Sequence, residues 1–277
     1  MRRIVITFTI AFLAALSVTA QDQQTVTAGR SLPLAVRSQA ECTGFIANPS
    51  VPPDLTVVAG GDDDFHSVVR QFVQGDSVFV SRHKGQEMAV GAEYRVVRPA
   101  SELFLTRHYQ GQGADISRLG TPYQDVAQVR VTHVNPEGVV AKVTFSCSSI
   151  LPGDTLIPFQ RRPIPEYTLS KPLDHFAPLD QNKAHGRIVA SHDNVGYVGR
   201  GVVVYLNLGE QEGTQPGQRF RIYKLLPPHP TGFLTSERTP PEIVGEAVVL
   251  SVQAKSSVAM VVSSYREIAA GDYVEKE

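Results

Sequence analysis

The feature that most constrains this chain is an internal repeat, in which two stretches of its 277 residues share one pattern. The segment 75–98, GDSVFVSRHKGQEMAVGAEYRVVR, aligns without a gap on the segment 201–224, GVVVYLNLGEQEGTQPGQRFRIYK. Each copy has a β-branched and aromatic run, a polar turn and a second alternating run, which predicts a hairpin. Gly91 and Gly217 occupy the same position in the two turns, where we expect a backbone φ above zero.

A second segment is also duplicated. Residues 126–154 align without a gap on residues 244–272, and ten of the 29 aligned positions are identical. Valines that alternate with polar residues predict two more half-buried strands in each copy. Both copies end on Gly-Asp, at Asp154 and Asp272, and an Asp beside a turn glycine usually caps the backbone of the turn. The duplication therefore predicts two successive units with similar strands.

The first twenty residues have the pattern of a cleavable export signal. Two arginines precede an apolar run of about 13 residues, which is shorter than the roughly 20 that a membrane-spanning helix needs, and small residues follow at 18–20. An uncleaved anchor is the alternative. We expect a mature chain that begins at Gln21, without stable membrane insertion. Its formal charge of 24 − 27 = −3 predicts no binding to nucleic acid.

Composition divides the rest of the chain into four parts. They are a disordered polar leader at 21–41, a first β unit at 42–160, a Pro-rich linker at 161–183 and a second β unit at 184–277. We expect each unit to open with a short strand, at 41–47 in the first and at 185–190 in the second. The linker, which begins with Arg161-Arg162, is expected to be extended and to space two domains.

The two units differ mainly in their middle parts. The first unit has 27 residues there, 99–125, and the second has 19, 225–243. Insertions in repeats map to loops, and loops often carry binding residues. We therefore predict contact surfaces in these two inserts, with five candidate binding residues: Phe104, Arg107, Tyr109, His229 and Phe233.

The chain has two cysteines, Cys42 and Cys147, and both lie in the first unit. An exported protein reaches an oxidising compartment, so we expect a disulfide between them. It would close a loop of roughly 105 residues, which the chain-entropy model values at about 4 to 5 kcal/mol. We expect this bond to join the opening strand of the unit to its closing strand. Two buried free thiols are the alternative.

No motif for catalysis, metal binding or cofactor binding is found in the sequence. The eight histidines show no close pair at metal-ligand spacing, and the acidic run 62–64 lacks the ligand pattern of a calcium loop. No phosphate-binding loop, serine elbow or dinucleotide glycine pattern occurs. We therefore predict no catalytic residue, no metal and no cofactor. The alternative is a carbohydrate-active hydrolase that uses Asp154, Asp272 or His192 between the units, with two carboxylates about 5 to 9.5 Å apart.

The second unit also resembles a known family. The residues that carry the resemblance are Gly201–Gly209, Pro216–Phe220, Val244–Glu246 and Gly271-Asp272. They resemble the C-terminal domain of flagellar assembly protein T and related bacterial envelope proteins, some of which carry LysM peptidoglycan-binding modules. The resemblance extends to the first unit. It implies a small SH3-like β-barrel that serves as a scaffold or interaction module in the periplasm.

These observations together predict an all-β protein of two tandem small SH3-like β-barrel units joined by a Pro-rich linker. We expect a non-catalytic protein of the bacterial periplasm or cell envelope that binds through the loops of both units. The expected partner is an envelope protein or peptidoglycan, and the expected role lies in envelope or surface-appendage assembly. A purely structural spacer is a third hypothesis.

Overall fold

The computed structural model of the protein describes residues 31–61, 71–82, 87–104, 106–168, 173–225, 229–231, 235–237 and 240–277. The proposed export signal and the acidic run 62–64 lie outside these residues. No helix in the described part of the chain has the length and apolar character needed to cross a membrane.

The first half of the chain folds into short helices and strands. They are β1 (Ser31–Pro33), α1 (Arg37–Glu41), β2 (Phe45–Ala47), β3 (Leu55–Gly61), β4 (Ser77–Arg82), β5 (Glu93–Pro99), α2 (Gln112–Leu119), β6 (Thr121–Asn135), β7 (Gly138–Ser146), β8 (Thr155–Pro158) and β9 (Glu166–Thr168). A 3-10 turn, Ser101–Phe104, precedes α2.

The second half consists mainly of strands. They are β10 (His185–Ser191), β11 (Tyr197–Val198), β12 (Val203–Leu206), β13 (Arg219–Lys224), β14 (His229–Thr231), β15 (Thr235–Glu237), β16 (Glu242–Val252), β17 (Ser257–Ser264), β18 (Ile268–Ala269) and β19 (Tyr273–Lys276). A 3-10 turn, Glu210–Glu212, lies between β12 and β13.

Each half forms a closed antiparallel barrel of six strands. The first barrel has the order β6-β5-β8-β3-β4-β7, and β7 pairs back to β6. The second has the order β16-β13-β19-β10-β12-β17, and β17 pairs back to β16. The two strand orders are identical when β3, β4, β5, β6, β7 and β8 are matched to β10, β12, β13, β16, β17 and β19. The prediction of an all-β chain with two tandem barrels is therefore confirmed.

The expected opening strand of the first unit is not part of its barrel. β2 pairs with the first residues of β6, where Phe45 lies opposite Tyr123 and Ala47 opposite Thr121. The counterpart of β10 is instead β3, so the proposed match between 41–47 and 185–190 was wrong. The match failed because a short apolar run indicates a buried strand but does not indicate which strand it pairs with.

The repeated glycines adopt the conformation that the sequence predicts. Gly91 has φ of +88° and Gly217 has φ of +83°. The Gly91 N–H donates to the Val131 carbonyl and the Gly217 N–H to the Val249 carbonyl, each at 2.8 Å. These two acceptors are themselves equivalent in the sequence repeat. Both barrels thus make the same turn with the same backbone hydrogen bond.

The interior of each barrel is a separate hydrophobic core. The first is formed largely by valines from five of its strands, including Val57, Val78, Val96, Val129 and Val143, and the sixth strand, β8, contributes Leu156. The second contains Ile188, Val204, Phe220, Ile222, Val261 and Val274. A third core, described below, lies outside both barrels.

Two segments that were expected to be irregular are ordered against the barrels. Residues 31–41 of the expected disordered leader form β1 and α1, and β1 pairs with β9 of the linker. Ala35 packs with Leu250 and Met260 of the second barrel. The linker does not hold the barrels apart, because it follows their surface. The linker has no proline at Glu166–Thr168, so the backbone of these three residues can pair as a strand.

Candidate functional site between the barrels

The two barrels are joined by a third hydrophobic core on their outer faces. The first unit contributes β2 and the helix α2 of its insert, and the second contributes residues of β10, β12 and β17. Its buried members are Ile46, Ala100, Leu103, Ile116, Leu119, Val189, Ala190, Tyr205 and Val258. Because burial of apolar surface is the main force in such contacts, this core fixes the two barrels against each other.

Hydrogen bonds in the same interface set its geometry. The Tyr205 hydroxyl donates to the Thr43 carbonyl at 2.8 Å. The fully buried Gln112 donates through Nε2 to the Val189 carbonyl at 2.9 Å, and its Oε1 accepts from the His108 N–H at 2.7 Å. Buried polar groups that find partners in this way specify one relative position of the two surfaces.

The structure places most of the first insert at this interface. Tyr109 is half-buried, its hydroxyl donates to Asp115 at 2.9 Å, and the Arg187 guanidinium of the second unit lies 5.2 Å from its ring. Burial, followed by the hydrogen bond to Asp115, raises the pKa of Tyr109. Arg107 is exposed and lies near Gly113. The insert of the first unit therefore contacts the second barrel of the same chain. Comparison of the two repeats did not predict this contact.

The other three candidate binding residues have no described side-chain environment. Phe104 ends the 3-10 turn before α2, and His229 begins β14, which pairs with β15 as a two-stranded ribbon. Phe233 lies outside the described residues. The structure therefore brings only Tyr109 of the five candidates to the inter-barrel surface among the residues it describes.

A buried charge network lies at one end of the interface. Arg95, which is 4% exposed, contacts Glu41 at 2.6 Å and Asp125 at 3.1 Å. Arg162 of the linker reaches the other Asp125 oxygen at 2.5 Å, and the Gly44 N–H donates to Asp125 at 2.7 Å. Two guanidinium groups thus face two carboxylates. Buried ions are tolerated when they are paired and hydrogen-bonded in this way.

A cleft of about 430 Å³ opens beside this network, between the linker and both barrels. Apolar and polar residues line it in equal number: Phe45, Ile157, Pro158, Pro163, Pro216 and Val252, with Arg95, Gln160, Arg161, Arg162, Ser251 and Gln253. Its volume lies within the range of small-ligand sites, about 300 to 1,000 Å³. The sequence offered one signal for this cleft, the Arg161-Arg162 pair of the linker, and the contribution of the second barrel had none.

Two lining groups of the cleft lack partners within the described part of the chain. Arg161 is exposed and forms no ion pair there. The Ser251 hydroxyl oxygen is buried and has no hydrogen-bond partner there. The cleft therefore offers the Arg161 guanidinium to a ligand, whereas the Ser251 oxygen is closed off from solvent.

The disulfide between Cys42 and Cys147 is present, as predicted. It joins the residue after α1 to the residue after β7, so the expectation that it links the opening and closing strands was wrong. Tyr265 takes the place of Cys147 in the second barrel. The backbone N–H groups of Cys147 and Tyr265 donate to equivalent carbonyls, each at 2.8 Å. The Tyr265 ring packs edge-on against His175 of the linker at 4.6 Å.

A shallow groove of about 470 Å³ lies over the disulfide. Its wall includes His192 and Asp193, whose Nδ1 and Oδ1 atoms are 2.9 Å apart. No group of three or more His, Cys, Asp or Glu side chains that could hold a metal ion occurs within the described ranges.

The two carboxylates of the hydrolase hypothesis stabilise turns. Asp154 accepts from the Leu151 N–H at 2.8 Å and from two Arg98 nitrogens at 2.6 Å. Asp272 accepts from the Ala269 N–H at 2.8 Å and lies 3.3 Å from the Lys224 ammonium. Each Asp therefore caps its turn, as the sequence predicts. Burial raises the pKa of the Asp272 carboxyl against the opposing effects of Ala269 and Lys224.

Comparison of the chain with protein-family models and with curated proteins finds no match.

Proposed function

We propose that this protein is a non-catalytic, exported binding or scaffold protein of the bacterial cell envelope. Its two barrels would present a single joined surface to one partner. The observation that carries this proposal is the third core, which holds the outer faces of the two barrels together through Ile116 and Tyr205. A duplicated barrel without such a contact would offer two independent surfaces, whereas this arrangement fixes their spacing and orientation.

The disulfide supports the exported location. Disulfides persist in the periplasm and other oxidising compartments and are rare in the cytosol. Cys42 and Cys147 are the two cysteines of the chain, and both are used in this bond. The bond therefore agrees with the export signal that the sequence of residues 1–20 indicates.

The hydrogen bonds of Asp154 and Asp272 support a non-catalytic role. In each barrel the carboxylate is engaged by a backbone N–H of its own turn and by one basic side chain, Arg98 or Lys224. These bonds explain why the Gly-Asp pair occurs twice. The resemblance to the C-terminal domain of flagellar assembly protein T implies a barrel that serves as an interaction module, and the two closed barrels fit that proposal.

Binding assays with the mature, oxidised chain test this proposal. We expect the immobilised protein to retain a defined envelope protein reproducibly, or the soluble protein to sediment with purified peptidoglycan sacculi. Heat-denatured protein on the same matrix is the control, because it measures how much partner is adsorbed without specific binding. Absence of both interactions, together with hydrolysis of a cell-wall polysaccharide, would contradict the proposal and favour the hydrolase.

A further inference from the structure

We propose that an uncovered apolar patch on the outer face of the first barrel binds a short amphipathic helix of the partner protein. The first-barrel patch consists of Val58, Ala59, Phe79 and Val140. Phe79 pairs with Ala59 on one side and with Val140 on the other, and Val58 and Phe79 are 51% and 40% exposed. This inference rests on the proposed function, since it names the surface through which the joined barrels would hold a partner.

The second barrel has an equivalent patch, and there the patch is covered. The sequence repeat and the strand order match the first-barrel residues to Val189, Ala190, Tyr205 and Val258. Tyr205 pairs with Ala190 and with Val258, as Phe79 does with its own two neighbours. All four residues are buried in the third core under α2 and β2 of the first unit. The same surface thus already binds a helix in one of its two copies.

Neighbouring positions show that duplication alone does not explain the apolar character of the first-barrel patch. Leu250 and Met260 lie beside the covered patch and pack against Ala35 of the leader. Their equivalents in the first barrel are Thr132 and Lys142, and Lys142 is exposed. These neighbouring positions are therefore polar in the first barrel, whereas the four positions of the patch are apolar in both barrels. A contiguous exposed apolar patch of this kind marks an interaction site.

The helix α2 shows which side chains the patch accepts. Its buried residues Ile116 and Leu119 are three positions apart and lie on one face of the helix. One turn earlier on that face, Gln112 donates to the carbonyl of Val189, the extra residue of a bulge in β10. The strand β3 has the same bulge at Val58. A partner helix with the spacing Gln-x3-Ile-x2-Leu would therefore meet both the apolar surface and the equivalent carbonyl.

Charge and size favour an acidic helix over a second copy of this chain. Lys142 lies two residues from Val140 on β7, so the two side chains point to the same face of the sheet. It is exposed and forms no ion pair with another described residue. A carboxylate at the edge of the helix would face this ammonium group, whereas a twofold contact between two patches would bring a second Lys142. Four side chains also fall far short of the roughly 20 to 30 residues that each side of a stable protein interface contributes.

A pair of helical peptides tests the assignment. The probe is an acetylated and amidated peptide of about 14 residues with the α2 spacing, one Glu beside the apolar face and a lactam bridge on the polar face, because so short a peptide is otherwise barely helical. Its control has Ser in place of the Ile and the Leu. Binding to the mature, oxidised chain is measured by fluorescence anisotropy. We expect the probe to bind at least about tenfold more tightly than the control, because the control buries no aliphatic side chain.

Variants of the chain locate the contact. Phe79→Thr should weaken the probe at least about tenfold, and Val140→Thr, which keeps the shape of the side chain, should weaken it in the same direction. Phe176→Thr is the matched control, since Phe176 is a 65% exposed residue of the linker, and it should bind as the parent does. Urea midpoints equal to that of the parent show that the barrels of these variants are intact.

A charge exchange tests the edge of the patch. Lys142→Glu should weaken the Glu probe about twofold to fivefold, as expected for an exposed ion pair. A probe with Lys in place of Glu should bind Lys142→Glu more tightly than it binds the parent. Equal binding of both probes by both proteins would remove the acidic character from the assignment.

Three outcomes would overturn the helix assignment. They are equal binding of the probe by the parent and by Phe79→Thr, equal binding of the probe and its Ser control, and a dimer in sedimentation equilibrium that Phe79→Thr abolishes, which would make a second copy the occupant of the patch. Retention of a defined envelope protein equally by the parent and by Phe79→Thr would remove the patch assignment and leave the proposed function standing. Binding of the probe without retention of any envelope protein or sacculi would support the patch and contradict the proposed function.

Discussion

The phenolic hydroxyl of Tyr205, in the second barrel, donates a 2.8 Å hydrogen bond to the backbone carbonyl of Thr43, in the first unit. Both residues are buried. The rest of the Tyr205 ring packs in the third core, next to Val258 and Ile46. One side chain thus combines an apolar and a polar contact across the junction of the barrels.

Tyr205→Phe should lower the free energy of unfolding by about 1 to 2 kcal/mol. The phenyl ring keeps its packing, but the buried Thr43 carbonyl loses the hydroxyl donor. Urea denaturation of the oxidised chain measures the change. Tyr197→Phe is the matched control, since Tyr197 is 69% exposed, and it should leave the stability unchanged. Equal stability of all three proteins would show that the hydroxyl contributes nothing to the junction.

Alkaline pH should erode the contribution of Tyr205. Burial, followed by the charge of Asp125, raises the pKa of Tyr205 well above its ordinary value of 10.0. The folded state therefore keeps the phenolic proton after the unfolded state has begun to lose it, so stability is lost as the pH rises above about 10. The stability advantage of the parent over Tyr205→Phe should shrink between pH 10 and 11.5. An advantage that grows over this range would have the wrong sign.

Gly44→Ala should be far more damaging than Gly75→Ala, although both glycines have positive φ, +66° and +101°. A Cβ on Gly44 would lie 2.5 Å from the Tyr123 carbonyl oxygen and 2.8 Å from the Tyr205 hydroxyl, whereas no atom of the described residues lies within 4 Å of one on Gly75. We expect a cost of about 1 to 2 kcal/mol at Gly75 from backbone strain alone, and about 3 kcal/mol or more at Gly44.

Thermal and chemical unfolding of the two glycine variants measures this difference. Similar losses of stability would mean that the Tyr123 carbonyl and the Tyr205 hydroxyl can move away from a Cβ at position 44 with little loss of free energy. A larger cost for Gly75→Ala would contradict the structural explanation outright.

Cys147→Ser should lower the free energy of unfolding by about 2 to 5 kcal/mol, because the bond closes a loop with a sequence separation of 105. Cys42→Ser should cause the same loss, since either change removes the same bond. Hydrogen exchange should rise first in α1, which ends beside Cys42. Identical unfolding of the parent chain with and without reductant would show that the disulfide adds no stability.

The repeat supplies its own control for the turn carboxylates. Asp154→Asn should cost about 1 to 3 kcal/mol, because it breaks a two-bond contact with Arg98. Asp272→Asn should cost less. Burial raises the pKa of the Asp272 carboxyl because it disfavours the ionised form, so removing the charge costs less there. The amide oxygen of Asn can still accept from the Ala269 N–H. Denaturant unfolding of the two variants gives the comparison; a larger loss at Asp272 would reverse the expected order.

The sequence was sufficient to predict the repeated turns of the two barrels and the disulfide of the first unit. The turns at Gly91 and Gly217, the capping by Asp154 and Asp272, and the pairing of Cys42 with Cys147 depend on residue types whose preferences act over a few residues or through covalent chemistry. Such local signals survive without knowledge of the tertiary structure.

Apart from the Arg161-Arg162 pair, the candidate site depends on contacts that leave no local signal in the sequence. Ser251 of β16 and Arg161 of the linker line the same cleft, and this follows only from how the barrels are joined. The helix α2 occupies an insert that the comparison of the two units predicted to be a loop, and it is held by burial of Ile116 and Leu119. The linker contains four prolines between 163 and 178, yet β9 can pair with β1 because the three residues of β9 include none.

The third core belongs to neither barrel. Cutting the chain in the linker would leave Val189, Tyr205 and Val258 of the second barrel facing water, and would strip Ile116 and Leu119 of α2 of their cover. We therefore expect the unit of cooperative folding to be larger than the repeated sequence unit. Because either half alone would expose part of this core, we expect the two barrels and the helix α2 to unfold as one thermodynamic domain.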